Sequence, residues 1–381
     1  MKMKKICYVV TIPRTIEAFF IPQLKFLAEN NYMVTVVCST SEFLQRELGN
    51  RIRFVPIDIP RGISIGGSLS AIKKLTAFFR HEQFDLIQYS TPNAAFYASI
   101  AAKRVGCKIR NYHLMGFRYL SAVGAKQIFL RAIEKITCYN SSSIECVSRS
   151  NLELGIRDGI FSAEKATVVW NGSTGGVDLS RFSYSKRAQW RKEIRSELGF
   201  TDNDFVYGFV GRITRDKGIN ELLEAFLSLN SDGKLFLIGR MENEASLNAD
   251  LLKKARNHPN IQFHDVVPDI ERYYAAIDVL ILPSYREGFG NVIIEAGAVG
   301  TPAIVSNIPG PIDAIDRDKT ALVVPARDAE ALADAMEKIR SLEYLSIGKR
   351  AAEFVKQKYD SEILCRQILE RKKFLLLEEM Q

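Results

Sequence analysis

The sequence is poor in the residues that build metal centres, and it has no long hydrophobic run. It holds four scattered histidines and six cysteines, and no two cysteines form a C-x-x-C pair. This pattern excludes the usual zinc sites and favours reduced core thiols in a reducing compartment. The longest nearly apolar stretch, 94–102, is far shorter than the roughly 20 residues that a membrane-spanning helix needs.

The start of the chain also lacks the pattern of a secretion signal. Its lysines precede only a strand-length apolar run, 6–12, and no small-residue cleavage site follows Pro13. We therefore expect a cytoplasmic protein. At about 100–200 residues per domain, 381 residues predict two domains. A composition of 47% apolar and 25% charged residues excludes disordered, collagen-like and small disulfide-rich classes.

Charge is distributed unevenly along the chain. Residues 1–170 hold 23 basic and 12 acidic side chains, a net charge of +11, whereas residues 171–381 hold 29 and 32. The first half is therefore expected to meet an anionic partner. No helix-turn-helix, RNP or zinc-finger pattern is present, so we expect a membrane surface or a phosphorylated lipid and no nucleic acid. Segments 69–80 and 126–137 fit basic membrane-surface helices or, alternatively, ordinary packing helices.

Short apolar runs alternate with helix-length amphipathic stretches throughout the chain. Strands are predicted at 6–12, 33–38, 53–57, 86–89, 108–113, 144–147, 205–210, 234–238, 261–263, 279–282, 303–305 and 321–324. Apolar strands joined by helices indicate parallel sheets covered on both faces. The predicted fold is α/β, with two doubly wound Rossmann-like domains facing a central cleft. The predicted parts are a first domain (1–175), a linker (176–204), a second domain (205–358) and a C-terminal helix (359–381) that packs back on the first domain.

The strongest motif is E-G-F-G-N-V-I-I-E-A, which crosses from a strand into a helix. Gly288 and Gly290 allow the backbone to approach a ligand, and the helix start offers N–H groups and a positive dipole end to a diphosphate. Glu287 on the turn can accept hydrogen bonds from sugar hydroxyls. Glu295, about one turn into the helix, is within reach of a ribose diol. The alternatives are a catalytic carboxylate pair, as in hydrolases, and two solvated surface residues.

A second motif, G-F-V-G-R-I-T-R-D-K-G, follows the first strand of the second domain. Its Arg212 and Lys217 place two cations at a strand's carboxyl end, on the same sheet edge as Glu287. Such cations stabilise the negative charge that develops on a departing nucleoside diphosphate. The alternative is a merely exposed lysine at a helix start, where the helix dipole disfavours its charge.

With N-G-S-T-G-G-V-D at 171–178, these motifs resemble the retaining, nucleotide-sugar-dependent glycosyltransferases of family 4 over essentially the whole chain. The linker motif is similar to that of members that build capsular and other surface polysaccharides, with Gly175 in place of an asparagine. The resemblance implies the GT-B fold, a nucleotide diphosphate-sugar donor (expected to be UDP-linked) on the second domain and an acceptor on the first. It implies that Arg212 and Lys217 contact the pyrophosphate, Glu287 the sugar and Glu295 the ribose. The other implied donor-side positions are Gly211, Gly288, Phe289, Gly290, Asn291 and Val292, with Val266 and Val267 near the base.

The first domain departs from the common family pattern. The turn after its first strand has no glycine pair, and Arg14 there is either an anion contact or a plain surface residue. Met115 stands where many members carry a histidine. His113 lies two residues earlier on the same strand face, so it is either a catalytic residue or a structural histidine. Arg118 is a second acceptor-side candidate.

The resemblance implies hexosyl or N-acetylhexosaminyl transfer, with retention, to a lipid-linked or growing surface-polysaccharide glycan on a polyprenyl diphosphate carrier. It implies a front-side mechanism and a protein peripheral to the inner face of the cell membrane. Two D-x-D triplets, 202–204 and 316–318, lie in polar turns that favour Asp for local hydrogen bonds. Since Arg and Lys can neutralise the diphosphate, we expect no metal and no cofactor. A nucleotide-sugar epimerase of the same fold and a non-catalytic nucleotide-sugar-binding protein remain alternatives.

Overall fold

The computed structural model describes residues 3–62, 65–229, 232–341 and 343–378. The chain divides into two compact units, the first formed by Met1–Gly175 with Ser361–Gln381 and the second by Gly176–Asp360. Each unit is built around one parallel β-sheet. The predicted α/β class with two Rossmann-like domains is confirmed.

The described part of the first unit holds a seven-stranded sheet. Its strands are β1 (Lys4–Val9), β2 (Tyr32–Cys38), β3 (Ile52–Pro56), β4 (Leu86–Tyr89), β5 (Ile109–Leu114), β6 (Ser143–Cys146) and β7 (Ala166–Val168). They lie in the order β3-β2-β1-β4-β5-β6-β7, with all neighbours parallel. The order reverses between β1 and β4, and this topological switch point is where open α/β sheets bind ligands.

Helices connect these strands and cover the sheet. They are α1 (Pro13–Phe19), α2 (Ile21–Glu29), α3 (Glu42–Leu48), α4 (Ile65–Glu82), α5 (Pro92–Arg104), α6 (Gly124–Asn140) and α7 (Arg149–Arg157). Along β1, Ile6 and Tyr8 join one buried apolar cluster, whereas Cys7 and Val9 join another. Because successive strand side chains point to opposite faces, an almost wholly apolar strand is needed when both faces are covered.

In the second unit, the described residues form a six-stranded sheet. Its strands are β8 (Val206–Val210), β9 (Lys234–Ile238), β10 (Ile261–His264), β11 (Val279–Leu282), β12 (Ala303–Ser306) and β13 (Ala321–Val324). They lie in the parallel order β10-β9-β8-β11-β12-β13, so the switch point falls between β8 and β11. The helices are α8 (Arg187–Leu198), α9 (Ile219–Ser228), α10 (Ala249–Arg256), α11 (Ile270–Ala276), α12 (Asn291–Ala298), α13 (Ala329–Ser341) and α14 (Tyr344–Lys358).

Residues 176–204, assigned to a linker from the sequence, belong to the second unit, and α8 lies within them. The helix is anchored by buried arginine rather than by a broad apolar face. Arg195 donates to Asp278 Oδ2 at 2.6 Å and to the Ala276 carbonyl oxygen at 2.9 Å. The segment is rich in glycine, serine and charged residues, and the sequence therefore indicated a linker, although Arg195 is fully buried.

The last helix, α15 (Ser361–Glu378), belongs to the first unit and packs on α2. Its buried Lys372 donates to Glu145 at 2.8 and 3.0 Å and to Gln88 at 2.6 Å. A buried ion pair tolerates little change in geometry, so this contact fixes the register of α15 on the first sheet. Helices α1 and α3 and strand β7 were not predicted from the sequence.

Candidate active site

The two sequence motifs of the second unit lie in the loops that follow β8 and β11. These strands are neighbours at the switch point of their sheet. The loops at their carboxyl ends therefore converge, and they carry Arg212 and Lys217 on one side and Glu287 on the other. This is the position at which a doubly wound sheet offers a crevice for a ligand.

Gly218 makes the approach of the two loops possible. It has a left-handed backbone, with φ +73°, and a Cβ placed on it would lie 2.1 Å from the Pro283 carbonyl oxygen. Any other residue would push the chain after β8 away from the end of β11. The short 3₁₀ turn Arg215–Lys217 precedes this glycine, so Lys217 is held beside the Glu287 loop.

Lys217 and Glu287 form a close ion pair. Lys217 Nζ donates to Glu287 Oε1 at 2.5 Å, and Ser284 Oγ donates to the same oxygen at 2.8 Å. Their side chains are 18% and 13% exposed, so water screens the pair only partly. The contact uses one of the three N–H donors of the ammonium, which can therefore also contact a phosphate.

Asp216, which the sequence analysis passed over, joins the two loops. Its carbonyl oxygen accepts from the Tyr285 N–H at 2.9 Å, and its carboxylate accepts from Arg286 at 2.9 Å and from Thr214 at 2.7 Å. Burial alone would raise the pKa of Asp216, but the Thr214 hydrogen bond and the Arg286 charge lower it. The carboxylate thus stays ionised and holds Arg286. Its place between two basic residues in R-D-K was the signal available in the sequence.

Arg212 lies at the end of β8 with about half of its side chain exposed. It pairs with Glu242 at 3.1 Å and stands 4.0 Å from Asp216. Exposed pairs of this kind contribute little stability. The guanidinium can therefore leave Glu242 for a stronger anion at little cost.

Helix α12 begins at Asn291, directly after the Glu287 turn. Its N-cap, Gly290, has φ +94°, a conformation that favours glycine, and it carries no side chain to cap the first turn. Asn291 and Val292 are half-buried in that turn. The Phe289 ring is buried and packs edge-to-face on Tyr359 with centroids 5.2 Å apart, so its side chain anchors the turn.

Glu295 lies one turn into α12 and is half-buried. Its Oε2 accepts from the Tyr274 hydroxyl at 2.9 Å. Burial raises the pKa of Glu295, and the Tyr274 hydrogen bond opposes that rise. Val266 and Val267, predicted to lie near the base, are in the loop after β10, and Val266 is exposed.

His113 lies on β5 in the first unit, and its ring is buried. Its Nε2 lies 3.3 Å from Thr174 Oγ1, and its ring meets Phe20 edge-to-face at 5.4 Å. Its Nδ1 is 4.0 Å from Glu145. Burial lowers the pKa of His113 to about 4, so the ring is neutral near pH 7. These contacts are those of a structural histidine, and a catalytic role for His113 stays a prediction.

The acceptor-side candidates lie at the carboxyl edge of the first sheet. Arg14 is exposed on α1, and half-buried Arg118 donates to Asn93 Oδ1 at 3.3 Å at the start of α5. The switch point of this sheet carries two residues that the sequence analysis missed. Thr11 Oγ1 and Thr91 Oγ1 are 2.7 Å apart, and Thr91 has φ +65°. That left-handed backbone is uncommon for a β-branched residue.

The D-x-D triplets lie in hydrogen-bonded turns. Asp204 accepts from the backbone and hydroxyl of Thr201 at 2.6 and 3.0 Å. Asp316 accepts from Lys319 at 3.2 Å. Within the ranges that the structure describes, no group of three His, Cys, Asp or Glu residues is arranged to hold a metal ion.

The two basic amphipathic segments differ in the structure. In α4, Ile72, Leu75 and Phe79 are buried, which favours the packing-helix alternative for segment 69–80. In α6, by contrast, four apolar side chains point outward: Ile128, Phe129, Ile136 and Tyr139 are 71%, 49%, 44% and 72% exposed. Of the helices described, none is long and apolar enough to cross a membrane.

Comparison with known proteins gives matches over both units. The model of "Glycosyl transferases group 1" matches residues 191–360, and that of "Glycosyl transferase 4-like" matches residues 5–148. The chain is 33% identical to the capsular polysaccharide biosynthesis glycosyltransferase CapM of Staphylococcus aureus, over 96% of this chain and 95% of that protein. It is 23% identical to the UDP-Gal:alpha-D-GlcNAc-diphosphoundecaprenol alpha-1,3-galactosyltransferase of Escherichia coli, over 90% and 89% of the two chains. The structure of Anabaena HepE in complex with UDP and glucose aligns with a TM-score of 0.79 at 20% identity, over 97% and 99% of the two chains.

Proposed function

We propose a donor, an acceptor and a mechanism for this chain, which belongs to the glycosyltransferases of the GT-B fold, with group 1 and family 4-like domains. It acts in capsular polysaccharide or lipid-linked glycan synthesis. It transfers a hexosyl or N-acetylhexosaminyl group from a UDP-sugar, with retention, to a glycan on a polyprenyl diphosphate carrier. The observation that carries this proposal is the Lys217–Glu287 pair at the switch point of the second sheet.

The charges at this switch point suit a diphosphate leaving group. Lys217 and Arg212 contact the phosphates, and the N–H groups at the start of α12 add a positive dipole end. Glu287, already fixed by Lys217 and Ser284, accepts hydrogen bonds from the donor sugar. This arrangement stabilises charge that develops on the departing nucleotide, which lowers the barrier to transfer.

The reaction follows a front-side course. The bond between the anomeric carbon and the β-phosphate oxygen breaks while the acceptor hydroxyl oxygen forms the new bond on the same face. The hydroxyl proton passes to the departing phosphate oxygen. Lys217 and Arg212 neutralise the phosphate charge in place of a divalent cation, so a chelator such as EDTA is expected to leave the rate unchanged.

Two relatives support the UDP donor and the carrier lipid. HepE is described in complex with UDP and glucose, and the Escherichia coli relative is named as a UDP-Gal-dependent enzyme acting on a diphosphoundecaprenol acceptor. The uracil lies near Val266 and Val267 in this proposal, and the ribose lies at Glu295.

The exposed face of α6 supports contact with the inner face of the cell membrane. Its apolar side chains are flanked on the same helix by Lys126 and Lys135, and Lys103 of α5 lies over the Tyr139 ring at 4.1 Å. An outward apolar stripe edged by lysines matches an anionic lipid surface. The acceptor's carrier lipid is held in that surface, so peripheral binding brings the enzyme to its substrate.

The transfer proposal is tested with UDP-sugars and a polyprenyl diphosphate-linked acceptor, by following release of UDP. Lys217→Ala and Glu287→Ala are each expected to lower kcat by about 100-fold or more while the protein stays folded. Matched controls are Lys319→Ala and Glu244→Ala, which remove members of exposed ion pairs in the same unit. Wild-type turnover in either site variant would contradict the assigned roles. Conversion of one UDP-sugar into another without acceptor would indicate an epimerase, and donor binding without UDP release would indicate a binding protein.

The membrane proposal is tested by sedimentation with vesicles of phosphatidylglycerol and phosphatidylcholine. Ile128→Asp with Tyr139→Asp is expected to release most of the protein from the vesicles. Leu345→Asp, which changes an exposed leucine of α14 in the second unit, is the control and is expected to sediment like the wild type. Equal sedimentation of all three proteins would show that α6 is not the contact surface.

A further inference from the structure

Three groups outside α12 interact with the Glu295 carboxylate. Tyr274 and Glu271 belong to α11, and Arg181 belongs to the segment that precedes α8. Arg181 is itself held in place, since it bonds Glu271 Oε2 at 2.8 Å and donates to the Pro268 carbonyl oxygen at 2.8 Å. The carboxylate thus accepts a hydrogen bond from a phenol and interacts electrostatically with a guanidinium and a second carboxylate.

Tyr274 is fixed from several directions. Its side chain is fully buried, its carbonyl oxygen accepts from Thr301 at 2.7 Å, and its ring packs on Phe182 with centroids 6.3 Å apart. Burial, and then the Glu295 charge, raise the pKa of Tyr274 well above its usual value, so its hydroxyl remains a donor. Its hydrogen bond occupies Glu295 Oε2. A carboxylate has a second oxygen, and Tyr274 determines which way that oxygen points.

We propose that Tyr274 is a positioning residue whose hydroxyl orients the Glu295 carboxylate so that its other oxygen accepts a hydrogen bond from a ribose hydroxyl of the donor. The charge of Arg181 favours the ionised form of that carboxylate. The inference rests on the proposed function, in which Glu295 holds the ribose. It adds two residues that neither sequence motif contains.

The arrangement has a consequence for pH. Burial and Glu271 raise the pKa of Glu295, whereas the Tyr274 hydrogen bond and Arg181 lower it. Removing the Tyr274 hydroxyl therefore raises that pKa further. Glu295 then becomes protonated at a higher pH. The acidic limb of the binding profile, where nucleotide affinity falls as pH decreases, therefore shifts to higher pH.

The test compares Tyr274→Phe with wild type in binding UDP, GDP and ADP and their 2′-deoxy and 3′-deoxy forms, from about pH 5 to pH 8. With the nucleotide that binds tightest, the variant is expected to lose about tenfold in affinity. Without the Tyr274 hydroxyl, the Glu295 carboxylate is no longer oriented for its hydrogen bond from the ribose, and a hydrogen bond to a charged group is weakened. KM for the corresponding sugar donor rises similarly, and kcat changes little. The loss shrinks with the deoxy form that lacks the contacted hydroxyl. Tyr273→Phe, whose ring stacks on Phe236 at 6.3 Å, is the matched control and binds like wild type.

A structural role alone would lower the melting temperature without moving the acidic limb or distinguishing ribose from deoxyribose. In a Glu295→Gln background, Tyr274→Phe is expected to add no further loss and to leave no acidic limb to shift. A wild type that binds none of the three nucleotides contradicts the proposed function itself. A wild type that binds, with an unchanged affinity and pH profile in Tyr274→Phe, overturns only this inference.

Discussion

The switch points of the two sheets have the same topology but differ in the charge of the side chains that meet there. Between β8 and β11, the converging loops bring together Lys217 and Glu287, 2.5 Å apart. Between β1 and β4, the corresponding loops bring together the hydroxyls of Thr11 and Thr91, 2.7 Å apart. The doubly wound fold supplies the crevice in both units, but the loop residues decide what each crevice can bind. The charged one suits a diphosphate, and the neutral one suits hydroxyl groups.

Much of the positive charge of the first unit lies away from the two threonines. Residues 1–170 carry the excess of basic side chains, yet the two threonines at the switch point have no charge. Lys126 and Lys135 instead flank the outward apolar face of α6. The second unit thus carries a charged pair at its switch point, whereas two lysines of the first unit lie beside the exposed apolar face of α6.

The largest expected effect on transfer comes from separating the two loops of the charged switch point. Gly218→Ala places a Cβ 2.1 Å from the Pro283 carbonyl oxygen in a left-handed backbone. We expect the free energy of unfolding to fall by about 3 kcal/mol, with transfer lost even where the protein remains folded. Chemical denaturation and the UDP-release assay measure both. Gly62→Ala, at an exposed position with open space around it, is the control. Full transfer activity in folded Gly218→Ala would show that loop proximity is not required.

A change of comparable size in stability is expected in the first unit without an effect on nucleotide binding. Lys372→Met leaves the buried Glu145 charge without its ammonium partner, which costs about 3–5 kcal/mol. Lys373→Met removes an exposed lysine next to it and is expected to change stability too little to measure. If Lys372→Met weakened UDP binding in the folded protein, the separation of roles between the units would be wrong.

His113 sharpens the comparison through pH. Burial lowers the pKa of His113 to about 4, whereas in the unfolded chain it is about 6.5. Between these two pH values the unfolded chain therefore binds a proton at His113 that the folded chain does not. Stability from neutral His113 is present above about pH 6.5 and is lost as pH falls toward 4. We expect His113→Gln to remove on the order of 2 kcal/mol of this acid destabilisation. Transfer near neutral pH should stay within about threefold, since the ring is neutral there. A drop of a hundredfold would restore the catalytic role predicted from the sequence.

The smallest effect is expected at the neutral switch point. Thr11→Val removes one hydroxyl from the Thr11–Thr91 pair. If the acceptor binds there, its KM rises by about fivefold through loss of one hydrogen bond, and UDP affinity stays unchanged. Steady-state kinetics with varied acceptor measures the first, and calorimetry the second. A change in UDP affinity alone would show that the donor binds in the first unit and that its assignment to the second unit is wrong.

The sequence predicted what depends on local pattern. The bounds of β4, β9, β11 and β13 agree with prediction to the residue, because buried parallel strands are mostly apolar runs. Lys217 and Glu287 were predicted to lie on one sheet edge, as the structure has them, because glycine-rich turns at strand ends are visible as motifs. Helix α8 was missed since its anchor, Arg195, is charged and only the fold reveals its buried partner.

Other features depend on what surrounds an element. The periodicity of α4 and α6 predicted two similar amphipathic helices, but it could not say which apolar face would find a partner. The core covers Leu75 of α4 and leaves Ile128 of α6 exposed. Likewise, Tyr274 is 21 residues from Glu295, and only folding brings its hydroxyl to that carboxylate.

The most direct test of the account is a crystal structure of the protein with UDP. We expect β-phosphate oxygens within about 3 Å of Lys217 Nζ and of the N–H groups at the start of α12, with the ribose at Glu295. A nucleotide bound at another place, with no phosphate contact to Lys217 or α12, would contradict the central claim that this switch point holds the leaving group.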